Sequence, residues 1–238
     1  MSSVEDLRFR DTVPLKKFRG KTIAVAGLGA TGKQVVQTLA VMGHKKMWGA
    51  DPDRIERKNI GTQGWNAKNI NSHKAHVIET LCCDNRSEFL GVVRRFEECF
   101  HSPIANAPYN REMPARTQVF FCCVDTMRAR ADIWRTLEGQ GLLQGPKLWI
   151  DSRIASRVIR IITIDLNDGA MKEYYQNETL YSDTEAFQGA CTDRMTYYGA
   201  SIAAGLMVCQ LVNWLNYDTV PAVDFLIETA GMGITRIK

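Results

Sequence analysis

The chain has 238 residues, 45% of them apolar and 24% charged, which suits one globular α/β domain. Its formal charge of +4 and the lack of basic blocks with interleaved aromatic residues argue against a nucleic-acid partner. The cysteines are odd in number, seven, and form no C-x-x-C pair, which argues against a disulfide framework and a cysteine-based zinc site.

Two segments bear on the location of the protein. The N-terminal sequence MSSVEDLRFRD has no apolar signal core, so a cytoplasmic protein is expected. The longest apolar run, within 199–215, is short for a membrane span and contains Ser201, Gln210 and Asn213. It is therefore predicted to be a buried helix, and we expect no membrane partner.

Short apolar segments alternate with segments of helical periodicity in the first half of the chain. The predicted elements are a strand at 22–26, a helix at 32–43, a strand at 46–50, a helix from 71 or 72 to 83, a strand at 119–124 and a helix at 129–137. The segment 88–100 fits either a strand or a helix. This alternation predicts a doubly wound, Rossmann-like α/β sheet with ligands at the carboxyl ends of its parallel strands.

The second half is richer in paired strands. Further strands, the last two in a hairpin, are predicted at 148–150, 158–164, 225–228 and 234–237. Asp193 is the predicted cap of a long helix that ends near Leu215. We expect one domain, 1–238, with a mixed, mostly parallel sheet of about eight strands and a C-terminal antiparallel hairpin. The expected irregular segments are an N-terminal arm at 1–20, a flexible loop at 101–117 and a crossover loop at 170–192.

The first strand is followed by the sequence GLGATGK, which fits two nucleotide-binding motifs. A Walker loop would need Ser or Thr after Lys33 to bind Mg²⁺, and Gln34 stands there instead. A Rossmann-type turn needs Gly27, Gly29 and Gly32, with an acidic residue roughly 20 positions further on, where Asp51 stands. We favour the Rossmann interpretation, in which Lys33 faces solvent. It fits both NAD-dependent dehydrogenases and ATP-using enzymes.

Polar residues follow the predicted second strand. Asp51 and Asp53 can bind ribose hydroxyls, and Asn59 and Gln63 add neutral donors where phosphates would lie. A solvated Asx-type turn is an equal alternative for this segment. Lys74 lies on the next predicted helix, where a lone lysine is more often a solvated surface residue.

Asp125 directly follows the apolar strand VFFCCV. A carboxylate at the carboxyl end of a buried parallel strand points into the ligand crevice, although Asp125 could instead cap the next helix. Arg130 is expected to orient this segment. Arg153 could contact a substrate carboxylate or pair with Asp151, and the ion pair is favoured.

Taken in order, these motifs resemble the ThiF/MoeB family of adenylyltransferases, which are related to ubiquitin-activating enzymes. The matching segments are GLGATG, WGADPDRIERKNIGTQ, SHKA, CCVDTMRAR and VDFLIETAGMGITRI, and the resemblance covers about Arg8 to Lys238. The resemblance implies ATP-dependent adenylation of a carboxylate, at the C-terminus of a small ubiquitin-like or sulfur-carrier protein. It also implies a homodimer.

The resemblance assigns roles to the candidate residues. Asp51 would bind the ATP ribose, Lys74 the phosphates, and Asp125 the Mg²⁺ ion and the reacting phosphate. The segment Arg8–Arg10 resembles a shortened arginine segment that reaches into the partner subunit's site, which makes Arg10 a candidate catalytic residue. The remaining nucleotide-binding candidates are Gly27, Gly29, Gly32, Asp53, Asn59 and Gln63.

The sequence also departs from the family pattern. Thr62 stands where family members usually carry an arginine, and we hypothesise that Arg57, or the nearby Arg54, replaces that charge. The paired C-x-x-C zinc site is absent. Cys191, before the long helix, is a candidate acceptor of the activated acyl group. The alternative is that Cys191 is only a small buried residue.

Two other functions stay open. A ThiF-like nucleotide-binding module with little catalysis is supported by Thr62, and an NAD-dependent oxidoreductase is supported only by the glycines and Asp51.

Overall fold

The core of the molecule is an eight-stranded sheet with strand order β3-β2-β1-β4-β5-β6-β7-β8. The computed structural model describes residues 9, 11–84, 87–101, 113–181 and 196–238. The strands are β1 (Ile23–Ala26), β2 (Met47–Ala50), β3 (Phe89–Val92), β4 (Val119–Cys122), β5 (Leu148–Ala155), β6 (Val158–Asp165), β7 (Asp224–Glu228) and β8 (Gly233–Arg236).

The sheet changes direction at β5. Neighbouring strands are parallel from β3 through β5 and antiparallel from β5 through β8. Every residue of β1, β2 and β4 is buried, as expected for parallel strands that helices cover on both faces. The predicted mixed, doubly wound sheet with a closing hairpin is therefore confirmed.

Helices connect the parallel strands and cover the sheet. They are α1 (Leu15–Gly20), α2 (Ala30–Val41), α3 (Asn59–Gln63), α4 (Lys74–Asp84), α5 (Met113–Arg116), α6 (Met127–Gly139), α7 (Gly169–Tyr174) and α8 (Tyr197–Tyr217). By length and composition α8 alone, among the described helices, could cross a membrane, but it packs against α2, β5 and β6. The prediction of a buried helix is confirmed.

The predicted cap of α8 was wrong. The side chain of Thr196 accepts a hydrogen bond from the Gly199 N–H and caps the helix. Thr196 stands directly before the first helical residue in an extended conformation, which is the geometry that an N-cap needs. Asp193 precedes it by three positions and lies outside the described residues.

Two strand predictions are refined. The segment 88–100 contains both kinds of structure, β3 and then a 3₁₀ turn at Glu97–Phe100. β5 is longer than predicted and continues to Ala155, because β6 pairs with it along its whole length. Arg153 therefore lies within a strand and not after one.

Parts of the three segments predicted as irregular are helical. The arm contains α1, which buries Phe18 in the core, and the loop at 101–117 contains α5. The crossover begins with α7, where the Asp168 carboxylate accepts hydrogen bonds from two backbone N–H groups. Residues 1–8, 10, 102–112 and 182–195 lie outside the described part of the chain.

A buried histidine follows α2. The ring of His44 lies edge-on against Phe18, with 4.9 Å between the ring centroids, and its Nδ1 accepts a hydrogen bond from the Lys46 N–H at 3.3 Å. Burial lowers the pKa of His44 to about 4, and the positive charges of Lys46 and Arg19 act in the same direction. The folded protein therefore resists protonation of this ring.

This shift predicts a pH dependence of stability. Because the pKa is near 6.5 in the unfolded chain and about 4 in the folded one, the free energy of unfolding should fall as pH decreases from 6.5 to 4. The His44 contribution to this loss should reach about 3 kcal/mol. Urea denaturation of wild type and His44→Gln across this range measures it. Equal pH slopes for the two proteins would contradict the prediction.

Candidate active site

A cavity of about 930 Å³ opens at the carboxyl ends of the central strands. Five predicted site residues line it together, namely Asp53, Asn59, Gln63, Lys74 and Asp125. They come from three separate parts of the chain, namely the segment from the end of β2 through α3, the start of α4 and the residues that follow β4. The topology therefore assembles the residues that the sequence singled out.

The glycine turn between β1 and α2 is shaped by close packing. A Cβ at Gly32 would lie 1.9 Å from the carbonyl oxygen of Gly27, and one at Gly27, where φ is +80°, would lie 2.9 Å from the Cys123 carbonyl oxygen. Gly29 is different, because the nearest atom to its Cβ position is Nε2 of Gln63 at 3.7 Å. Two glycines thus close the turn, and the third leaves space beside the cavity.

Asp51 joins the glycine turn to the end of β2. Its Oδ2 accepts a hydrogen bond from the Leu28 N–H at 2.7 Å, and its Oδ1 accepts one from the Asp53 N–H at 2.8 Å. Burial raises the pKa of Asp51, although Lys74, with Nζ at 3.8 Å from Oδ2, acts in the opposite direction. Asp51 lies behind the residues that line the cavity, and its role at the ribose stays a prediction.

Lys74 is not a solvated surface residue. Its side chain is 6% exposed and its Nζ donates a hydrogen bond to Oδ2 of Asp53 at 2.8 Å. Its backbone N–H donates to the Asp53 carbonyl oxygen at 3.1 Å, so α4 begins against this loop. The ammonium group is thereby held at the cavity wall, beside an exposed carboxylate.

Asn59 and Gln63 present their amide nitrogens to the cavity. The Oδ1 of Asn59 accepts a hydrogen bond from the Glu56 N–H at 2.9 Å, and the Oε1 of Gln63 accepts one from Nε1 of Trp65 at 2.9 Å. Neither amide nitrogen has a hydrogen-bond partner among the described residues. Both side chains thus retain two N–H donors, as a site for phosphate oxygens requires.

The expectation that Lys33 faces solvent was wrong. Lys33 is buried, and its Nζ donates to the Gly64 carbonyl oxygen at 2.7 Å and lies 4.9 Å from the ring centroid of Trp65. Desolvation lowers the pKa of Lys33. The lysine is covered by Gly64 and Trp65, which follow α3, and by Tyr197 of α8, tertiary contacts that helical periodicity alone does not reveal.

Asp125 carries an open carboxylate. It does not cap α6, because the Thr126 hydroxyl accepts the hydrogen bond from the Ala129 N–H at 3.2 Å. The Asp125 carboxylate is exposed at the cavity and makes no hydrogen bond within the described ranges. A carboxylate of this kind fits Mg²⁺, which proteins bind with one or two carboxylates together with substrate phosphates.

Arg130 orients the segment around Asp125, as predicted. Its Nη2 donates to the Val124 carbonyl oxygen at 2.6 Å, and its Nη1 donates to the Thr126 carbonyl oxygen at 3.1 Å. These carbonyl groups belong to the residues on either side of Asp125. The guanidinium therefore fixes the backbone from which the open carboxylate projects.

Asp151 holds Arg130 in place through a buried ion pair. The fully buried carboxylate accepts hydrogen bonds from Nε of Arg130 and Nε of Arg153, each at 2.9 Å, and from Oη of Tyr175 at 3.1 Å. Burial raises the pKa of Asp151, but the two guanidinium groups outweigh that effect and hold the pKa below its ordinary value. The favoured Arg153–Asp151 ion pair is confirmed.

The hypothesised replacement for the missing arginine lies away from the cavity lining. Arg57 is exposed, and Arg54 donates to the Asn71 carbonyl oxygen at 2.6 Å. Lys58 and Thr62 line the cavity instead. Sequence reasoning missed Lys58 because its position depends on the turn that leads into α3.

Two predicted catalytic residues, Arg10 and Cys191, lie outside the described residues. Within the described ranges no group of three or more His, Cys, Asp and Glu side chains forms a metal site. A metal ion here would therefore depend on substrate oxygens as well as on Asp125.

The doubly wound sheet, the glycine turn and the polar cavity at the strand ends define a nucleotide-binding α/β protein. The ThiF family profile matches residues 5–235, nearly the whole chain. The chain belongs to the ThiF family, which confirms the resemblance that its motifs indicated. No curated protein matches the sequence.

Solved structures share the fold. PaaA aligns with a TM-score of 0.69 at 14% identity, over 100% of this chain and 84% of PaaA. E. coli MccB with ATP aligns with a TM-score of 0.67 at 12% identity, over 93% of this chain and 64% of MccB. E. coli MccB with MccA aligns with a TM-score of 0.64 at 12% identity, over 92% of this chain and 64% of MccB. This chain thus spans less than two thirds of MccB.

The Asp151 cluster predicts a large effect of one arginine on stability. Arg130→Met removes a guanidinium from a fully buried carboxylate, and breaking such a pair costs about 3 kcal/mol or more. Arg128→Met, on the same helix, is the control, because that side chain is 83% exposed and should change stability by at most about 0.5 kcal/mol. Urea denaturation measures both. Similar losses of unfolding free energy in the two variants would show that the buried ion pair contributes no more than an exposed arginine.

Proposed function

We propose that this protein uses ATP to adenylate a carboxylate, and that the carboxylate is the C-terminus of a ubiquitin-like or sulfur-carrier protein or of a peptide. The observation that carries the proposal is the pairing of one open carboxylate, Asp125, with the ammonium of Lys74 and two free amide donors around one cavity. Membership of the ThiF family supports ATP-dependent adenylation. The solved structures of MccB with ATP and with MccA support a nucleotide and a peptide or small protein as substrates.

In the proposed reaction the substrate carboxylate attacks the α-phosphorus of ATP. A new oxygen–phosphorus bond forms, the bond to the bridging oxygen breaks, and pyrophosphate leaves with that electron pair. The product is a mixed anhydride between the acyl group and AMP. A thiol, sulfide or amine then attacks the acyl carbon, the bond from that carbon to the phosphate oxygen breaks, and AMP leaves.

The residues of the chain would act by position and charge. Lys74 exchanges its contact with Asp53 for phosphate oxygens, and the amide nitrogens of Asn59 and Gln63 donate to the same oxygens. Asp125 would hold Mg²⁺, which neutralises charge on the phosphates. Fixed donors of this kind stabilise developing charge without reorganising during the reaction.

The oligomeric state and the cellular location are also proposals. We propose a homodimer in which Arg10 acts in the partner's site, and a monomeric mass in analytical ultracentrifugation would contradict it. We also propose a cytoplasmic location, which the six free thiols of the described cysteines support, since reducing compartments keep thiols unpaired. Localisation of a tagged protein to an oxidising compartment would contradict that location.

Loss of Lys74 or Asp125 should abolish turnover. In ATP–pyrophosphate exchange with candidate carrier proteins, Lys74→Ala and Asp125→Ala should each reduce the rate by about 100-fold or more, since one such group contributes about 2.7–4 kcal/mol. Lys16→Ala and Glu138→Ala, at exposed helix positions, are the control variants. Calorimetry with ATP comes first. Absence of ATP binding at millimolar concentration contradicts the proposal, and binding without exchange for any carrier favours a nucleotide-binding module.

Variants at two neighbouring positions test which residue supplies the charge that is absent at Thr62. If Arg57 replaces the charge lost at Thr62, Arg57→Ala should slow exchange by about 100-fold and Lys58→Ala should have little effect. The cavity lining favours the opposite result, with Lys58→Ala as the slow variant. Unchanged exchange in Arg57→Ala would end the Arg57 hypothesis. An unchanged exchange rate in both variants would show that neither Arg57 nor Lys58 supplies the missing charge.

A further inference from the structure

The cavity extends well beyond the nucleotide-binding candidates. Past Asp125 its floor is the exposed face of the antiparallel strands, with the short apolar side chains Ala155, Val158 and Leu226. Its volume of about 930 Å³ is near the upper limit of single-ligand pockets, about 1,000 Å³. The lining thus continues from the nucleotide-binding candidates onto this floor, which is where a second ligand would lie.

Two arginines face each other across this floor. Arg153 on β5 and Arg160 on β6 are directly opposite in the antiparallel register, and both line the cavity. Like charges directly opposite on one sheet face repel and destabilise the pairing. Because both side chains also line the cavity, the arginine pair is a candidate binding feature.

Buried carboxylates hold both arginines in place. Asp151 pairs with Arg153, and Asp224 accepts hydrogen bonds from Nε and Nη2 of Arg160 at 3.0 and 2.6 Å. Asp151 also pairs with Arg130, so two guanidinium groups share one carboxylate. These ion pairs fix both cavity arginines before any ligand binds.

Arg160 has more N–H donors than its carboxylate uses. Its side chain is 20% exposed, and its hydrogen bonds to Asp224 use one N–H of Nε and one of Nη2, out of the five N–H groups of a guanidinium. The Oη of Tyr174 binds Asp224 at 2.6 Å and steadies that carboxylate, so the arginine would not need to leave its partner to bind an anion. Tyr181, with its ring centroid 5.5 Å from the Arg153 guanidinium, forms a further wall of the cavity.

We propose that the Arg153–Arg160 face is an anion subsite that binds an acidic side chain of the substrate, close to the carboxyl group that is activated. The inference rests on the proposed adenylation, because it takes Asp125 as the place of reaction. Asp125 follows β4, and Arg160 lies on β6, two strands away, or about 10 Å. An extended chain advances about 3.3 Å per residue, so the acidic residue lies about three positions before the C-terminus.

Labelled peptides test the subsite without nucleotide. The probes are fluorescein-labelled octapeptides with a free C-terminus and one Glu at the second, third, fourth or fifth position from the end, each with a matched Gln peptide. Fluorescence anisotropy should give about tenfold tighter binding for Glu than for Gln at one position near the third, as a hydrogen bond to a charged group predicts. Equal binding of Glu and Gln peptides at every position, or no binding in the millimolar range, overturns the subsite.

Three variants assign the preference to Arg160. The Glu preference should vanish in Arg160→Gln, persist in part in Arg160→Lys and be unchanged in Arg128→Gln, whose exposed side chain lies outside the cavity. Thermal unfolding checks that each variant is folded, and the Lys variant stands in if the Gln variant is not. A full Glu preference without the Arg160 guanidinium overturns the assignment.

Pyrophosphate exchange separates the two proposals. A Glu preference without exchange for any peptide or carrier leaves the subsite standing and rejects adenylation. Exchange that does not depend on the acidic residue leaves adenylation standing and rejects the subsite.

Discussion

The buried carboxylate of Asp151 is the interaction on which the rest of the site depends. It lies where the parallel sheet meets the antiparallel one, opposite Cys122 of β4 and Ile162 of β6. From there it binds guanidinium groups of α6 and β5 and the hydroxyl of Tyr175. A fully buried charge needs such partners, because its desolvation would otherwise cost several kcal/mol. Through Arg130 this one group also determines the direction of the Asp125 segment.

The cavity divides into two halves with different physical characters. Around Lys74 and Asp53 the charges are paired with each other in the free protein and can exchange partners when a polyanion binds. Around Arg153 and Arg160 the charges are held by carboxylates that a ligand does not reach. The first half can therefore adapt to a ligand, whereas the second half is preorganised.

The sequence predicts the parts of the fold that depend on local pattern. Buried parallel strands such as β1 and β4 are continuous apolar runs, and a carboxylate after such a strand reaches the ligand crevice in any doubly wound sheet. Lys33 shows where this reasoning stops, because its burial depends on Gly64 and Trp65 and on Tyr197 of α8, all distant along the chain. The strand position of Arg153 likewise depends on pairing with β6. Patterns among neighbouring residues in the sequence do not reveal such long-range contacts.

The reversal of strand direction at β5 has a consequence for how such a protein can change. Parallel strands are joined by covering helices, so an altered length in β1 or β4 would disturb a helix, the glycine turn and the core together. By contrast, β5 pairs with β6 and β7 pairs with β8, and the members of each pair are adjacent both in sequence and in the sheet. Such a hairpin tolerates a longer turn at little entropic cost. The cavity floor on β5 and β6 can therefore change while the residues around Lys74 and Asp125 stay the same.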